Sequence, residues 1–363
     1  MKGLYVHIPF CEHICFYCDF AKRVAKNREM IDEYLVHLKK EFDQIPLIDR
    51  QFDTVYIGGG TPSMLDIKQL TYLLELFKDL KPLEYTIEVN PESYTHDKGM
   101  LFKQYGINRV SLGVQSFEPE ILTYIGRKHH NTQVFYAIED LNDIGIDNIS
   151  IDLIFAIPGQ TMASIQHDLD IVSTLAIKHI SYYSLILEEK TVFYHQYLKK
   201  QFRKADIDLE ADMYEYIIDR LNALGFKQYE ISNFTKGNHA SKHNQLYWSM
   251  DPYVGIGAGA HGFDGKLRTQ NHRNLPDYYE KPLASAYHET DQQYLSDTLI
   301  FGLRRLEGIR IDDIETRFGF KLFEKYPKLI QLQALGLIEI VDQHLRLTRK
   351  GLLLGNQVFE VFI

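Results

Sequence analysis

Short apolar runs alternate with amphipathic stretches through the first two-thirds of this 363-residue chain. Strand-like runs fall at 4–8, 54–57, 85–89, 109–112, 148–154 and 180–187. Between them, Ile31, Tyr34, Leu35 and Leu38 recur at helical spacing and predict a helix over 30–42; 70–77 reads the same way. Gly106, Gly145, Gly225 and Gly336 each close a helical stretch just before an apolar residue and a strand. That is the place of a glycine in the left-handed cap conformation. Alternation of this kind predicts parallel βαβ units, in an open doubly wound sheet or a full or partial (β/α) barrel. In either, chemistry gathers at the C-terminal ends of the strands. From 295 onward the pattern changes. Helices are predicted at 297–306, 311–317 and 323–334, then a hairpin of 337–341 and 345–348 around Asp342-Gln343-His344. This suggests a small winged-helix-like unit, and without a basic recognition helix it reads as a packing module.

The three cysteines are the only ones, and all lie in Cys11-x-x-x-Cys15-x-x-Cys18, directly after the first predicted strand. Isolated structural cysteines do not cluster in this way. A disulfide framework does not suit an odd count in a long chain that runs from Met1-Lys2-Gly3-Leu4 straight into a strand with no export signal. Zinc needs a fourth ligand, for which His7 and His13 are candidates. Three thiolates also suit a [4Fe–4S] cluster with one iron left open for chemistry.

Composition is that of an ordinary globular protein, 45% hydrophobic and 25% charged. A net charge of −9 argues against a nucleic-acid surface. No apolar run is long enough to span a membrane, so a cytoplasmic location is expected. Nothing in the pattern sets an oligomeric state.

Polar residues stand at strand ends where a plain core would not place them. Gly58-Gly59-Gly60-Thr61-Pro62 follows the second strand and would let a ligand approach the backbone, yet it lacks the Lys and Ser/Thr order of a phosphate loop. Glu88 ends the third strand, Gln115 lies just past the fourth, and Asp152 is flanked by apolar residues in the fifth. A buried carboxylate is costly unless it is paired. Acceptors on one rim suit ribose hydroxyls and an amino group. Arg127 could clamp a carboxylate.

The cysteine spacing with Tyr17 and the Gly-Gly-Gly-Thr-Pro turn resembles the radical S-adenosylmethionine (SAM) superfamily. Tyr5-Val6-His7-Ile8-Pro9-Phe10-Cys11, Asn108-Arg109-Val110-Ser111-Leu112-Gly113-Val114-Gln115-Ser116-Phe117 and Asp152-Leu153-Ile154 with Pro158-Gly159-Gln160-Thr161 are similar to the oxygen-independent coproporphyrinogen III oxidase group. The resemblance implies a partial (β/α) barrel core over 1–235, a connecting segment over 236–294 and a C-terminal helical, winged-helix-like domain over 295–363. It implies that Cys11, Cys15 and Cys18 hold a [4Fe–4S] cluster whose fourth iron is chelated by SAM. Tyr17 would lie on the adenine and Tyr5 beside the methionine part. Gly59, Gly60 and Thr61 would meet the amino end, Glu88, Gln115 and Asp152 the ribose and amino region, and Arg127 the carboxylate. The implied chemistry is reductive cleavage of SAM to methionine and a 5′-deoxyadenosyl radical.

The group contains a porphyrinogen-decarboxylating oxidase and a heme-chaperone type. The oxidase carries a fourth cysteine where this chain has Phe20, and a longer arm before the first cluster cysteine, where this chain has ten residues. The string His243-Asn244-Gln245-Leu246-Tyr247-Trp248 resembles the heme motif of the chaperone type and contains the only tryptophan. The resemblance thus implies heme as a further ligand, with His243 a candidate for the iron and Tyr247 and Trp248 for the porphyrin face. His261 and His272 are lesser candidates. Acceptor hemoproteins are the implied partners, with transfer at a membrane surface a possible setting and enzymatic turnover left open.

Overall fold

The structure, a computed structural model, describes residues 1–363. Six strands follow one another through the first half: β1 (Gly3–Ile8), β2 (Thr54–Gly59), β3 (Glu84–Val89), β4 (Arg109–Gln115), β5 (Ile149–Phe155) and β6 (His179–Ser184). All six pair in parallel with their sequence neighbours. Buried on both faces, they read as near-continuous apolar runs, as parallel strands covered by helices do. The crossovers carry helices that include α1 (Arg28–Asp43), α2 (Ile67–Glu75), α3 (His96–Gln104), α4 (Asn131–Asp143) and α5 (Met162–Val172). Side-chain caps start several of them: Asn27 accepts from Met30 N–H, Asp66 from Lys68 and Gln69, and Thr95 from Lys98. Gly106, Gly145, Gly225 and Gly336 all have positive φ, as their cap positions require.

The sheet continues past both ends of this parallel core. Beyond β6 lie β7 (Lys227–Glu230) and β8 (Asn233–Thr235), with β8 antiparallel to β6. Beyond β1 lie β9 (Tyr253–Ile256), β10 (His261–Phe263), β11 (Leu267–Asn271) and β12 (Leu283–His288). β9 pairs with β1 in parallel and the rest follow antiparallel, giving one open twelve-stranded sheet in the order β12-β11-β10-β9-β1-β2-β3-β4-β5-β6-β8-β7. The parallel strands form the partial barrel. The segment 236–294 therefore supplies four strands of this sheet.

The C-terminal part has its own apolar cluster, including Leu299, Leu303, Leu329, Leu337 and Leu345. Helices Asp291–Gly302 and Ile311–Phe318 pack there with a small sheet of β13 (Ile309–Arg310), β14 (Ile338–Val341) and β15 (His344–Leu347). The hairpin turn is Asp342-Gln343, both at positive φ, and His344 belongs to the strand. The helix expected over 323–334 is broken into Leu322–Lys325 and Lys328–Ala334, because Pro327 cannot donate within a helix.

Candidate functional site

β1 runs directly into Phe10 and Cys11, which pair in parallel with Arg23 and Val24 and close an eleven-residue loop, 12–22, that carries the other two cysteines. All three thiols are free. Burial pushes the Cys11 thiol up to about 11 and raises that of Cys18. His7 does not complete a zinc site here. Its Nδ1 faces the Tyr5 hydroxyl at 2.8 Å and its Nε2 the Ala21 carbonyl at 2.7 Å, so both nitrogens are engaged. No three His, Cys, Asp or Glu side chains close on the point a single ion would occupy. The fit to a cluster rests on donor chemistry instead. Three thiols share one loop, and His13 lies in it with its Nε2 buried and unpartnered. Two cations stand beside them: Arg127 Nη1 is 3.9 Å from Cys15 Sγ, and Lys22 Nζ donates to the Cys18 carbonyl. Positive charge there suits thiolates and an anionic cluster.

The glycine turn at the end of β2 is pressed onto the cysteine strand. Gly60 N–H donates to Ile8 O at 2.8 Å and Thr61 N–H to Phe10 O at 2.7 Å. A Cβ on Gly60 would lie 2.5 Å from the Phe10 carbonyl oxygen, so only glycine fits. Gly59, at φ +116°, donates to Glu88 Oε2 at 2.9 Å.

Around this turn the strand ends form one polar rim. Glu88 accepts from Tyr56 Oη at 2.8 Å, and burial lifts its carboxyl to about 7, with the nearby Asp152 adding to the rise. Asp152 accepts from Ser111 Oγ at 3.1 Å and is raised by burial as well. Gln115 takes a left-handed backbone, φ +71°, at a register shift between β4 and β5. Such a conformation is costly outside glycine and clusters at functional sites. Arg127 donates through Nη1 to Asn90 Oδ1 at 3.0 Å and through Nη2 to the Gly113 carbonyl. Tyr5 stacks on Tyr56 with ring centroids 6.2 Å apart. Tyr17 packs against a small apolar cluster that includes Ile121, Ile154 and Phe193, and its hydroxyl is raised by burial and by Cys15. The structure thus brings Tyr17, Gly59, Gly60, Thr61, Glu88, Gln115 and Arg127 to the same end of the parallel sheet as Cys11, Cys15 and Cys18, with Tyr5 and Asp152 farther back, in the middle of β1 and β5.

The His-Asn-x-x-Tyr-Trp string lies on α6 (Lys242–Trp248), started by the Ser241 hydroxyl accepting from Asn244 N–H. His243 faces inward. Its Nδ1 is 2.7 Å from Thr54 Oγ1, its Nε2 2.9 Å from Tyr247 Oη, and its ring stacks on Tyr56 at 5.1 Å. Burial alone pushes it down to about 3, so it is neutral and offers no free nitrogen as it stands. Tyr247 and Trp248 instead line a cavity of about 450 Å³ that also touches Tyr5 and Phe20 of the cysteine side. Trp248 Nε1 is buried without a partner, and Arg304 lies over the indole at 4.4 Å.

Several site residues are not singled out by sequence reasoning. Tyr56 and Asn90 orient Glu88 and Arg127; their only sequence signal is a place beside the strand ends. Asp168, on the buried side of α5, accepts from Phe117 N–H at 2.7 Å and Ser116 Oγ at 3.0 Å, which fixes the chain just after Gln115. Nothing local in the sequence separates it from an ordinary helical aspartate.

Known proteins resemble this chain over its whole length. The family model for the radical SAM superfamily matches residues 5–172, and that for the HemN C-terminal domain matches 290–354. Heme chaperone HemW of Bacillus subtilis (strain 168) is 39% identical over 377 residues, covering 100% of this chain and 99% of that protein. Heme chaperone HemW of Escherichia coli (strain K12) is 30% identical, covering 99% and 98%. Among solved structures, coproporphyrinogen III oxidase (HemN) from Escherichia coli, a radical SAM enzyme, superposes with a TM-score of 0.86 at 23% identity, covering 99% of this chain and 89% of that one.

Proposed function

The chain belongs to the heme chaperone HemW family of radical SAM proteins, and on that premise we propose that it binds heme and hands it to acceptor hemoproteins in the cytoplasm. A [4Fe–4S] cluster and SAM are its resident cofactors. No helix is long and apolar enough to cross a membrane. What carries the heme role is the cavity that Tyr247 and Trp248 share with Phe20 beside the cysteine loop. Its volume is in the range of small-ligand sites, and Tyr5, Phe20, Tyr247, Trp248, Tyr253 and Phe263 give it an aromatic face.

In this proposal Cys11, Cys15 and Cys18 hold the cluster, which when bound supplies the electron for reductive cleavage of SAM. Arg127, fixed by Asn90 and Gly113, would orient the SAM carboxylate bidentately. Carbonyls of Gly59 and Gly60, with Thr61, would accept from the amino group. Glu88, Gln115 and Asp152 would accept from amino and ribose hydroxyl donors, while Tyr17 covers the adenine and Tyr5 the methionine side. Residues 1–235 would serve the cluster and SAM, 236–294 heme, and 295–363 would pack as a winged-helix-like unit. The likeness to the oxidase extends to the fold, and Phe20, 64% exposed, stands at the cavity as an apolar wall rather than as a fourth thiol.

The test is an anaerobic titration of the cluster-loaded chain with hemin, read by absorbance. A saturable Soret shift at an equimolar endpoint is expected. No shift, together with decarboxylation of a porphyrinogen propionate when SAM and reductant are present, would replace the chaperone with an oxidase.

A further inference from the structure

Three histidines lie in or directly under the aromatic cavity, and two of them are taken. His7 is held between Tyr5 and Ala21, and His243 between Thr54 and Tyr247. His261 differs. It lines the cavity, it is exposed, and its ring makes no hydrogen bond or ion pair within the chain. Partial desolvation of its ring on the cavity side, and then the neighbouring Arg273 and Arg268, lower its proton affinity, which favours the neutral imidazole a metal needs.

The segment that carries His261 is built for close approach. In Gly255-Ile256-Gly257-Ala258-Gly259-Ala260-His261-Gly262, Gly257 has φ +98° and Gly259 has φ +82°. A Cβ on Gly257 would lie 2.4 Å from the His7 carbonyl oxygen, and one on Gly259 would lie 2.5 Å from Ala21 Cβ. The segment is thus pressed against both β1 and the cysteine loop. It is also braced from behind: Gly257 N–H donates to Glu41 Oε2 at 2.8 Å, Asn271 Nδ2 donates to Gly257 O at 3.0 Å, and Asn271 N–H donates to Ala260 O at 2.8 Å. A side chain on such a support is held at the cavity mouth without being spent on packing.

The charges at the mouth differ in the same way. Arg268 is neutralised by Glu289 and by Asp297 at 3.0 Å, and its guanidinium lies over Phe263. Arg273 has no carboxylate partner. It donates only to the Asp19 carbonyl, at 2.8 Å, and is exposed. A free imidazole, a free guanidinium and aromatic walls are the three elements that bind an iron porphyrin with anionic edges: metal ligation, carboxylate pairing and a stacking surface.

We propose, resting on the heme function above, that His261 is the protein ligand of the heme iron in this cavity, that Arg273 pairs with a propionate, and that Tyr247 and Trp248 cover the macrocycle. His243 is then a positioning residue: its Nε2 fixes the Tyr247 hydroxyl, and with it the wall of the cavity.

The cluster-loaded, full-length chain and its His261→Ala, Arg273→Ala and His243→Ala variants are titrated anaerobically with hemin, with absorbance and electron paramagnetic resonance as readouts. The native chain should show an imidazole-ligated heme. His261→Ala should weaken binding by more than about tenfold, the scale on which even supporting metal contacts are lost. It should also lose the imidazole signature and regain it with added free imidazole, with its cluster iron and sulfide unchanged. Arg273→Ala should weaken binding and keep the signature. His243→Ala should keep it as well; if that variant does not fold, His243→Gln, which fills the site with a hydrogen-bonding side chain but offers no imidazole, takes its place. His261→Met supplies a second check, because a thioether ligand shifts the spectrum in a folded protein. Native-like imidazole ligation in His261→Ala would overturn the assignment and leave the heme function standing. Absence of saturable hemin binding in the native chain would instead overturn the heme function itself.

Discussion

Glu88 provides the most quantitative test of the SAM-binding rim. Its carboxyl accepts from Tyr56 Oη and Gly59 N–H, but burial outweighs both and lifts it from 4.5 to about 7. Without ligand, the group is therefore mostly protonated at pH 6 and mostly ionised at pH 8. SAM brings an ammonium and a sulfonium, which favour the ionised form, so binding is linked to proton release and affinity rises with pH through 7. The ionised fraction moves from about one-tenth to about nine-tenths across that interval, so the dissociation constant should fall about tenfold from pH 6 to pH 8, or ~1.4 kcal/mol. In Glu88→Gln this dependence should flatten, with affinity near that of the native chain at pH 6. The unliganded fold has the opposite sign: folding takes up a proton at this raised carboxyl, so stability falls as pH climbs from 4.5 toward 7, and the glutamine variant escapes that loss. Anaerobic calorimetry in buffers of different ionisation enthalpy measures the affinity and the proton release together. A flat native profile, or an equal slope in Glu88→Gln, would refute this account of the rim; the latter would shift the linkage to Asp152.

Other perturbations test the supports beneath the site. Cys11→Ser should lose the cluster, seen as loss of the brown absorbance after anaerobic reconstitution, and a brown, fully loaded variant would exclude Cys11 as a ligand. Gly60→Ala places a methyl 2.5 Å from the Phe10 carbonyl and should displace the cysteine strand, lowering iron and sulfide per chain at constant protein. Asp168→Ala leaves Phe117 N–H and the Ser116 hydroxyl without their buried acceptor, a loss of about 2–5 kcal/mol that thermal unfolding should register as a clearly lower midpoint.

Much of the barrel and its rim is legible in the chain because its signals are local. Each parallel strand is a compact apolar run, each is punctuated by a glycine or a polar end, and the three cysteines sit in one loop. The segment 236–294 is opaque for the opposite reason. β9 is four residues long and owes its place to pairing with β1, some 250 positions away, and all six residues of β12 are exposed, so no inside–outside alternation marks it. His243 shows the same limit at the level of one side chain. Its motif points to heme, while its actual partner, Thr54, is 189 positions distant and turns the ring inward. His261 is only a lesser candidate in the sequence, and the tertiary contacts of its glycine segment make its freedom visible. Asp168 likewise looks like an exposed helical acid until the fold buries it.

The most direct measurement is an anaerobic crystal structure of the cluster-loaded chain soaked with hemin, with diffraction recorded at the iron edge. The account predicts two separate iron sites: a compact cluster among Cys11, Cys15 and Cys18, and a single iron in the aromatic cavity beside His261. Iron at the cysteines alone, or heme iron bound away from the cavity formed by Tyr247 and Trp248, would contradict it.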